Sequence, residues 1–323
     1  MGRSSPENRI AECAIEVCPE AKGNSFDSCN DAEVIGQCRG EIRAFWIDCL
    51  ESGINDQKDS MTFEATPLND WNARQYLRFE DERTRPARDL LAQVPLQQAR
   101  RVVDLGCGPG NSTELLVERF PDATVTGVDA SKDMLRMARE RLPRCVFVEA
   151  DIANWIPREP LDLVFANAVL QWVPNHQGVM ARVLEALPEG GVLAVQMPDN
   201  TREPSHACIR EVARREPWAK SLASAEAARP DLPSPESYYD LLKPLCRRIE
   251  IWHTVYEHVM DGPKAIVEWF KGSTLLPYLS ALDASTANDF LEAYTAEIAR
   301  HYPPRFDGQI LLRFPRLFVV ATR

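Results

Sequence analysis

A chain of 323 residues, 45% of them apolar, is long enough to bury a full core as one large domain or two. Its net charge of −11 and pI near 5.1 exclude a broad electrostatic footprint for nucleic acid. No apolar run reaches the roughly 18 residues that span a bilayer, and the N-terminus lacks the basic and apolar regions of a signal peptide. A cytoplasmic protein without a membrane partner is the expectation.

Residues 1–60 stand apart from the rest. They hold five of the nine cysteines (Cys13, Cys18, Cys29, Cys38 and Cys49), with six Lys/Arg against twelve Asp/Glu, a net charge of −6. Apart from the short apolar patch Ala44-Phe45-Trp46-Ile47, no helical or alternating pattern is sustained there. The segment reads as a weakly ordered acidic extension ahead of a domain over 61–323, with a partner-binding tail as the other reading. An odd number of cysteines, without paired C-x2-C spacing, points to unpaired thiols rather than a disulfide framework or a metal site.

From about residue 71 short apolar runs alternate with amphipathic stretches. Pro86 suits a first helical position, which puts Arg83 and Arg85 in the turn leading into that helix. Val102–Leu105, Ala123–Val128, Cys145–Val148, Leu161–Phe165 and Gly191–Met197 read as buried strands. Helical segments lie between them at Ser112–Phe120, Ser131–Leu142 and about Gln177–Leu187. Strand–helix alternation at this spacing predicts an α/β domain with a doubly wound parallel sheet covered on both faces.

The chemistry centres on Asp104-Leu105-Gly106-Cys107-Gly108-Pro109-Gly110-Asn111-Ser112. A strand runs into three glycines at alternate positions and a helix then begins, so backbone can approach a ligand closely beside free N–H groups. Asn111 stands where a dinucleotide fingerprint needs glycine, and no Lys-Ser/Thr follows as a triphosphate loop requires. Three further features fall in register. Asp129 ends the second strand, placed to accept two ribose hydroxyls. Asp151-Ile152 follows the third, offering a carboxylate for an adenine amine beside an apolar wall. Asn167-Ala168 closes the fourth, with Gln171-Trp172 just beyond. Each acid alone reads equally as a helix cap or a ligand, and their joint order at the carboxyl ends of parallel strands carries the inference.

These residues resemble the class I methyltransferases. Asp104–Gly110 matches the glycine motif of that family, Asp129 its ribose acid and Asp151 its adenine contact. The resemblance implies a Rossmann-like, seven-stranded, mostly parallel sheet with an antiparallel last strand. Arg247–Met260 and Gln309–Thr322 would be its final strands, and helical cap insertions would fall at about 201–246 and 261–303. It also implies S-adenosylmethionine as methyl donor and no metal. The donor would be held by Tyr76, Asp104, Gly106, Cys107, Gly108, Gly110, Asp129, Ala130, Asp151, Ile152, Asn167 and Gln171.

A narrower resemblance, from about Asp70 to Arg323, is to the trans-aconitate 2-methyltransferase family. It rests on Trp71-Asn72, Tyr76-Leu77, Glu82–Ala87, Phe165–Trp172, Gln196-Met197-Pro198-Asp199-Asn200, Gly308–Leu312 and Phe314–Phe318. It implies methyl transfer to a carboxylate oxygen of a small tricarboxylate, by a protein that is a monomer or a weak oligomer. A carboxylate with a solution pKa near 4 is already ionised, so no dedicated catalytic residue is needed beyond proximity and orientation. Arginines should hold the non-reacting carboxylates, with Arg83, Arg85 and Arg316 as candidates beside Trp172 and His176. Pro315 within a strand suggests a bulge that redirects Arg316. Trp252, Trp269 and Tyr239 read as core of the cap. Another small carboxylic acid as acceptor, or a non-catalytic cofactor-binding regulator, stays open.

Overall fold

A computed structural model describes residues 79–225 and 230–323; the acidic extension and Tyr76 lie outside the described residues. Seven strands form one sheet: β1 Arg101–Leu105, β2 Thr124–Asp129, β3 Val146–Glu149, β4 Leu163–Asn167, β5 Val192–Pro198, β6 Arg248–Met260 and β7 Ile310–Thr322. Their order is β3-β2-β1-β4-β5-β7-β6, with β7 antiparallel to both neighbours and every other adjacent pair parallel. The chain winds outward from β1 through β2 to β3, then returns to start β4 on the other side of β1. This reversal opens a crevice at the carboxyl ends of β1 and β4.

Helices cover both faces, which is why the central strands are apolar throughout rather than alternating. All seven residues of β5 are buried. The first helix, α1 (Glu80–Ala92), packs on one face together with α2 (Asn111–Arg119). Next along the chain, α3 (Lys132–Arg141) buries Met134, Leu135 and Ala138, an i, i+1, i+4 stripe, and the Ser131 hydroxyl caps it by accepting from the Met134 N–H at 3.4 Å. The opposite face is covered by α4 (His176–Ala186).

The predicted cap insertions resolve differently from one another. In the first, α5 (Pro204–Ala213) and α6 (Ala219–Leu222) join the α1 face, whereas α7 (Pro235–Leu242) buries Tyr238 and Leu242 against α4 on the opposite face. The second comprises α8 (Pro263–Lys271), α9 (Leu276–Leu279) and α10 (Ala284–His301), which pack with α5 on the α1 face. What reads as one insertion from 201 to 246 is therefore split across the sheet.

Two proline readings are corrected. Pro86 is not at the start of α1 but at its seventh position, because the polar run Glu80–Arg85 is itself helical. The bulge expected at Pro315 is absent: Thr254, Val255 and Tyr256 pair one for one with Arg316, Pro315 and Phe314. The strand tolerates this proline because its missing N–H falls on the β5 side, where ladder pairing stops at Pro198–Arg316. Among the described residues no helix is long and apolar enough to cross a membrane.

Candidate active site

The glycine loop links β1 to α2 through backbone shapes that side chains disfavour. Gly106 has φ +70° and Gly110, the residue capping α2, has φ +94°. A Cβ on Gly106 would lie 2.3 Å from Val169, so the loop packs against the β4 exit without room for a side chain. Asp104 braces this turn from below. It is fully buried, and one carboxylate oxygen accepts from the Ser112 and Thr113 hydroxyls at 2.7 Å each. Burial, opposed by those two hydrogen bonds, pushes its carboxyl up to about 6.

A cleft of about 230 Å³ opens above the loop, lined by Gly106, Gly108, Asp129, Ala130, Asp151, Ile152 and Asn167, with Met134, Val169 and Val173 as apolar walls. The Asp129 carboxylate is fixed by two backbone donors, Gly108 N at 2.9 Å and Ser131 N at 2.8 Å. A carboxylate held this way, acceptor-only and with two oxygens, has the chemistry to take the paired hydroxyls of a ribose. Asp151 caps the turn Ile152–Asn154 through Ala153 N at 2.9 Å and is also exposed to the cleft, so cap and ligand are compatible roles. Asn167 Oδ1 is buried with no hydrogen-bond partner among the described residues, an acceptor facing an absent donor. Paired carboxylates, apolar walls and a buried amide oxygen fit the hydroxyls, base and ammonium of S-adenosylmethionine.

Ala168 and Trp172 form the wall between this cleft and a second, inner pocket of about 50 Å³. Ala168 adopts φ +57°, a left-handed shape that costs a non-glycine residue roughly 1 kcal/mol or more. It is held there by its N–H donating to Gln196 O at 2.9 Å and its carbonyl accepting from Gln171 Nε2 at 2.7 Å. Backbone strain of this kind clusters at ligand-binding sites in proteins generally.

The inner pocket is aromatic and basic. Arg83, Gln171, Trp172, Trp269, Phe314 and Arg316 line it, and no Asp or Glu is among the described residues that do. Arg83 Nη2 donates to the Trp269 carbonyl at 2.8 Å, and its guanidinium lies 4.9 Å from that indole ring. The Arg316 guanidinium sits 4.6 Å from the Phe314 ring and 5.9 Å from Tyr256. His258, on the same face of β6, senses the resulting field. Burial first, then Arg316, Arg85 and Arg83, hold its imidazole down at about 3, so it is neutral at any ordinary pH.

The structure separates residues that the sequence groups together. Arg83 lies four residues before Ala87 on the buried stripe of α1 and enters the pocket. Arg85, about 200° further round the helix, is exposed and rests 5.3 Å over Tyr256. His176 is removed from the substrate set: it starts α4 on the opposite face, shares a 2.6 Å hydrogen bond with the Tyr238 hydroxyl, and lines neither cavity. Gln171 faces the inner pocket rather than the cleft, Asp104 is buried beneath the loop, and Cys107, within the loop, is buried and borders a small cavity with Gly106, Gly108 and Asn167. Trp269, read from sequence as cap core, is buried in the core on the α1 face and lines the pocket as well. Tyr256 and His258 are unanticipated. Their only sequence signal is alternation along β6, whose even positions share a face with Phe314 and Arg316. The described cysteines, Cys107, Cys145, Cys208 and Cys246, are free thiols.

The sheet order, the glycine loop and the strand-end acids define a class I methyltransferase. A family model described as a methyltransferase domain matches residues 102–191, the segment from β1 to the start of β5. A trans-aconitate 2-methyltransferase of Rhodopseudomonas palustris (strain BisB18) is 64% identical over 256 residues, covering 79% of this chain and 100% of that protein. The enzyme of the same name from Rhizobium rhizogenes (strain K84 / ATCC BAA-868) is 53% identical over 253 residues, 78% of this chain and 99% of that one. This chain belongs to the trans-aconitate 2-methyltransferase family. Among solved structures, Haemonchus contortus phosphoethanolamine N-methyltransferase 2 in complex with S-adenosyl-L-methionine aligns at a TM-score of 0.48 and 18% identity, over 77% of this chain and 56% of that one.

Proposed function

We propose that the protein transfers a methyl group from S-adenosylmethionine to a carboxylate oxygen of trans-aconitate, giving a monomethyl ester. The observation that carries this reading is the pocket holding Arg83 and Arg316, which has no Asp or Glu among the described residues that line it and shares Ala168 and Trp172 with the cleft. When bound, S-adenosylmethionine supplies an electrophilic methyl on a positively charged sulfur, which an already ionised carboxylate attacks without losing a proton. The protein's part is binding and aim. Arg83 and Arg316 hold the carboxylates that do not react, because an acceptor clamped by a guanidinium has its lone pairs engaged. Trp172 and Ala168 then border the route by which the remaining carboxylate reaches the cleft. Asp129, Asp151 and Asn167 hold the donor, and no side chain is required as base.

A pocket with two guanidiniums favours a polyanion over a lipid-like monoacid, since carboxylates can return charge-assisted hydrogen bonds that an apolar guest cannot. The reading extends to a soluble, cytoplasmic monomer or weak oligomer that works without nucleic acid or membrane. The net charge of −11 supports the exclusion of nucleic acid. Residues 61–323 are the working domain in this reading, and a chain starting at Met61 should turn over like the whole. Steady-state turnover across trans-aconitate, cis-aconitate, isocitrate and citrate, with the ester identified by mass, tests it. The highest kcat/KM is expected for trans-aconitate. Preference for an apolar monoacid, or no turnover of any acid, would overturn it.

A further inference from the structure

Gln196 is fully buried on β5 and touches neither cavity, yet it lies under the boundary between them. Its register neighbour on β4 is Asn167, which lines the cleft, and on its other side runs β7, which carries Arg316. The Gln196 side-chain oxygen accepts from Arg316 Nη1 at 3.2 Å, and its backbone carbonyl accepts the Ala168 N–H at 2.9 Å. The amide orientation is unambiguous, because a guanidinium offers only donors and the amide oxygen must face it. This leaves the amide nitrogen buried with no hydrogen-bond partner among the described residues. Leaving a buried donor unmade is costly, and a glutamate, with no donor to leave, would remove that cost while pairing with the arginine. A glutamate would set that gain against the desolvation of its own charge, so Gln and Glu differ here chiefly in the charge they bring to Arg316.

We propose that Gln196 is a positioning and specificity-determining residue: a neutral acceptor that aims the Arg316 guanidinium at the substrate without subtracting from its charge. The proposal rests on the carboxylate-methylation reading. A carboxylate at position 196 would hold Arg316 more tightly and compete directly with the substrate carboxylate for it. The neutral amide fixes one edge of the planar fork and keeps the field in the pocket positive. The same residue holds Ala168 through its backbone, so one β5 position serves the wall of both cavities.

The test compares Q196E with Q196L in the full-length chain, reading KM and kcat for trans-aconitate, S-adenosylmethionine affinity by calorimetry, and Tm. Q196L should raise KM about tenfold, from loss of aim alone, and Q196E about a hundredfold, with kcat changed less than about threefold in both. Cofactor affinity should stay within about twofold, and Q196E should melt no lower than Q196L. A residue that merely fills space or satisfies Arg316 predicts the reverse order, with Glu the gentler replacement. KM for Q196E at or below that of Q196L overturns the proposal. If Q196E fails to fold, Q196D and Q196N give the same charged-against-neutral comparison at shorter reach. If the wild type prefers another acid, the proposed substrate fails, while the variant order on that acid still decides the role of Gln196. No turnover of any acid by the wild type overturns both.

Discussion

The cleft and the inner pocket share a wall but are assembled in opposite ways. The cleft is built from the ends of β1 to β4 and the loops that follow them, between Gly106 and Val173. Apart from Met134 on α3, its residues sit at a strand end or in the turn that follows, and a parallel sheet brings those ends together automatically. The inner pocket draws Arg83 from α1, Gln171 from the β4 exit, Trp269 from α8 and Arg316 from β7. Nothing local to any of those segments announces the others. The cleft is thus carried by one contiguous stretch, whereas the inner pocket depends on how distant insertions dock.

That contrast can be broken most directly at Arg316. If the pocket alone recognises the acceptor, Arg316→Met should cost kcat/KM about 2–5 kcal/mol, some thirtyfold to several thousandfold, with S-adenosylmethionine affinity unchanged. Arg83→Met should behave alike. Arg→Lys should restore little in either case, since an ammonium cannot reproduce the planar fork. An equal loss of cofactor affinity would show that the two regions are one site.

A pH experiment probes the foundation of the cleft. Asp104 is held up to about 6 by burial, against an ordinary value of 3.8. Between those limits the folded protein keeps a proton that the unfolded chain has released, so stability falls as pH rises through the window. Asp104→Asn does not titrate and keeps an acceptor for Ser112 and Thr113. The stability of the wild type relative to this variant should therefore drop by up to about 3 kcal/mol from pH 4 to 7. Urea unfolding at three pH values measures it, and a flat difference would mean that Asp104 is ionised throughout.

On the cleft itself, Asp129→Ala should weaken S-adenosylmethionine by about 1.5–3 kcal/mol, roughly ten- to a hundredfold, because a charged acceptor of ligand hydroxyls is lost. Calorimetry with near wild-type affinity would remove Asp129 from the site. The smallest effect is expected at Arg85→Met. Its exposed guanidinium lies outside the pocket lining, so the apparent constant for the acid should move less than about threefold, under about 0.7 kcal/mol. A larger rise would return Arg85 to the clamp and extend the pocket outward over Tyr256.

The sequence-level reading is strongest for the cleft and weakest for the pocket, and particular residues explain the gradient. Arg316 is placed in the pocket as expected, but not for the expected reason. It reaches inward by ordinary alternation on a regular strand, in register with Thr254, rather than through a bulge at Pro315. Arg83 and Arg85 look equivalent when Pro86 is taken as a helix start, and become inequivalent once α1 extends back to Glu80. His176 follows the fourth-strand motif closely in sequence, but the turn Leu170–Trp172 carries the chain to the other face before α4 begins.

By itself the sequence determined the alternating α/β domain, which polar residues stand at its strand ends, and the family, because each is written in local patterns: apolar runs, glycine spacing and an acid where a strand ends. Only the tertiary structure decided which arginines share a pocket, that Trp269, Tyr256 and His258 surround them, and that α7 leaves the predicted cap for the opposite face. The physical reason is reach. Local propensity and hydrogen bonding act over a few residues, whereas a binding pocket between insertions is fixed by which apolar faces find each other, and chain order does not encode that pairing residue by residue.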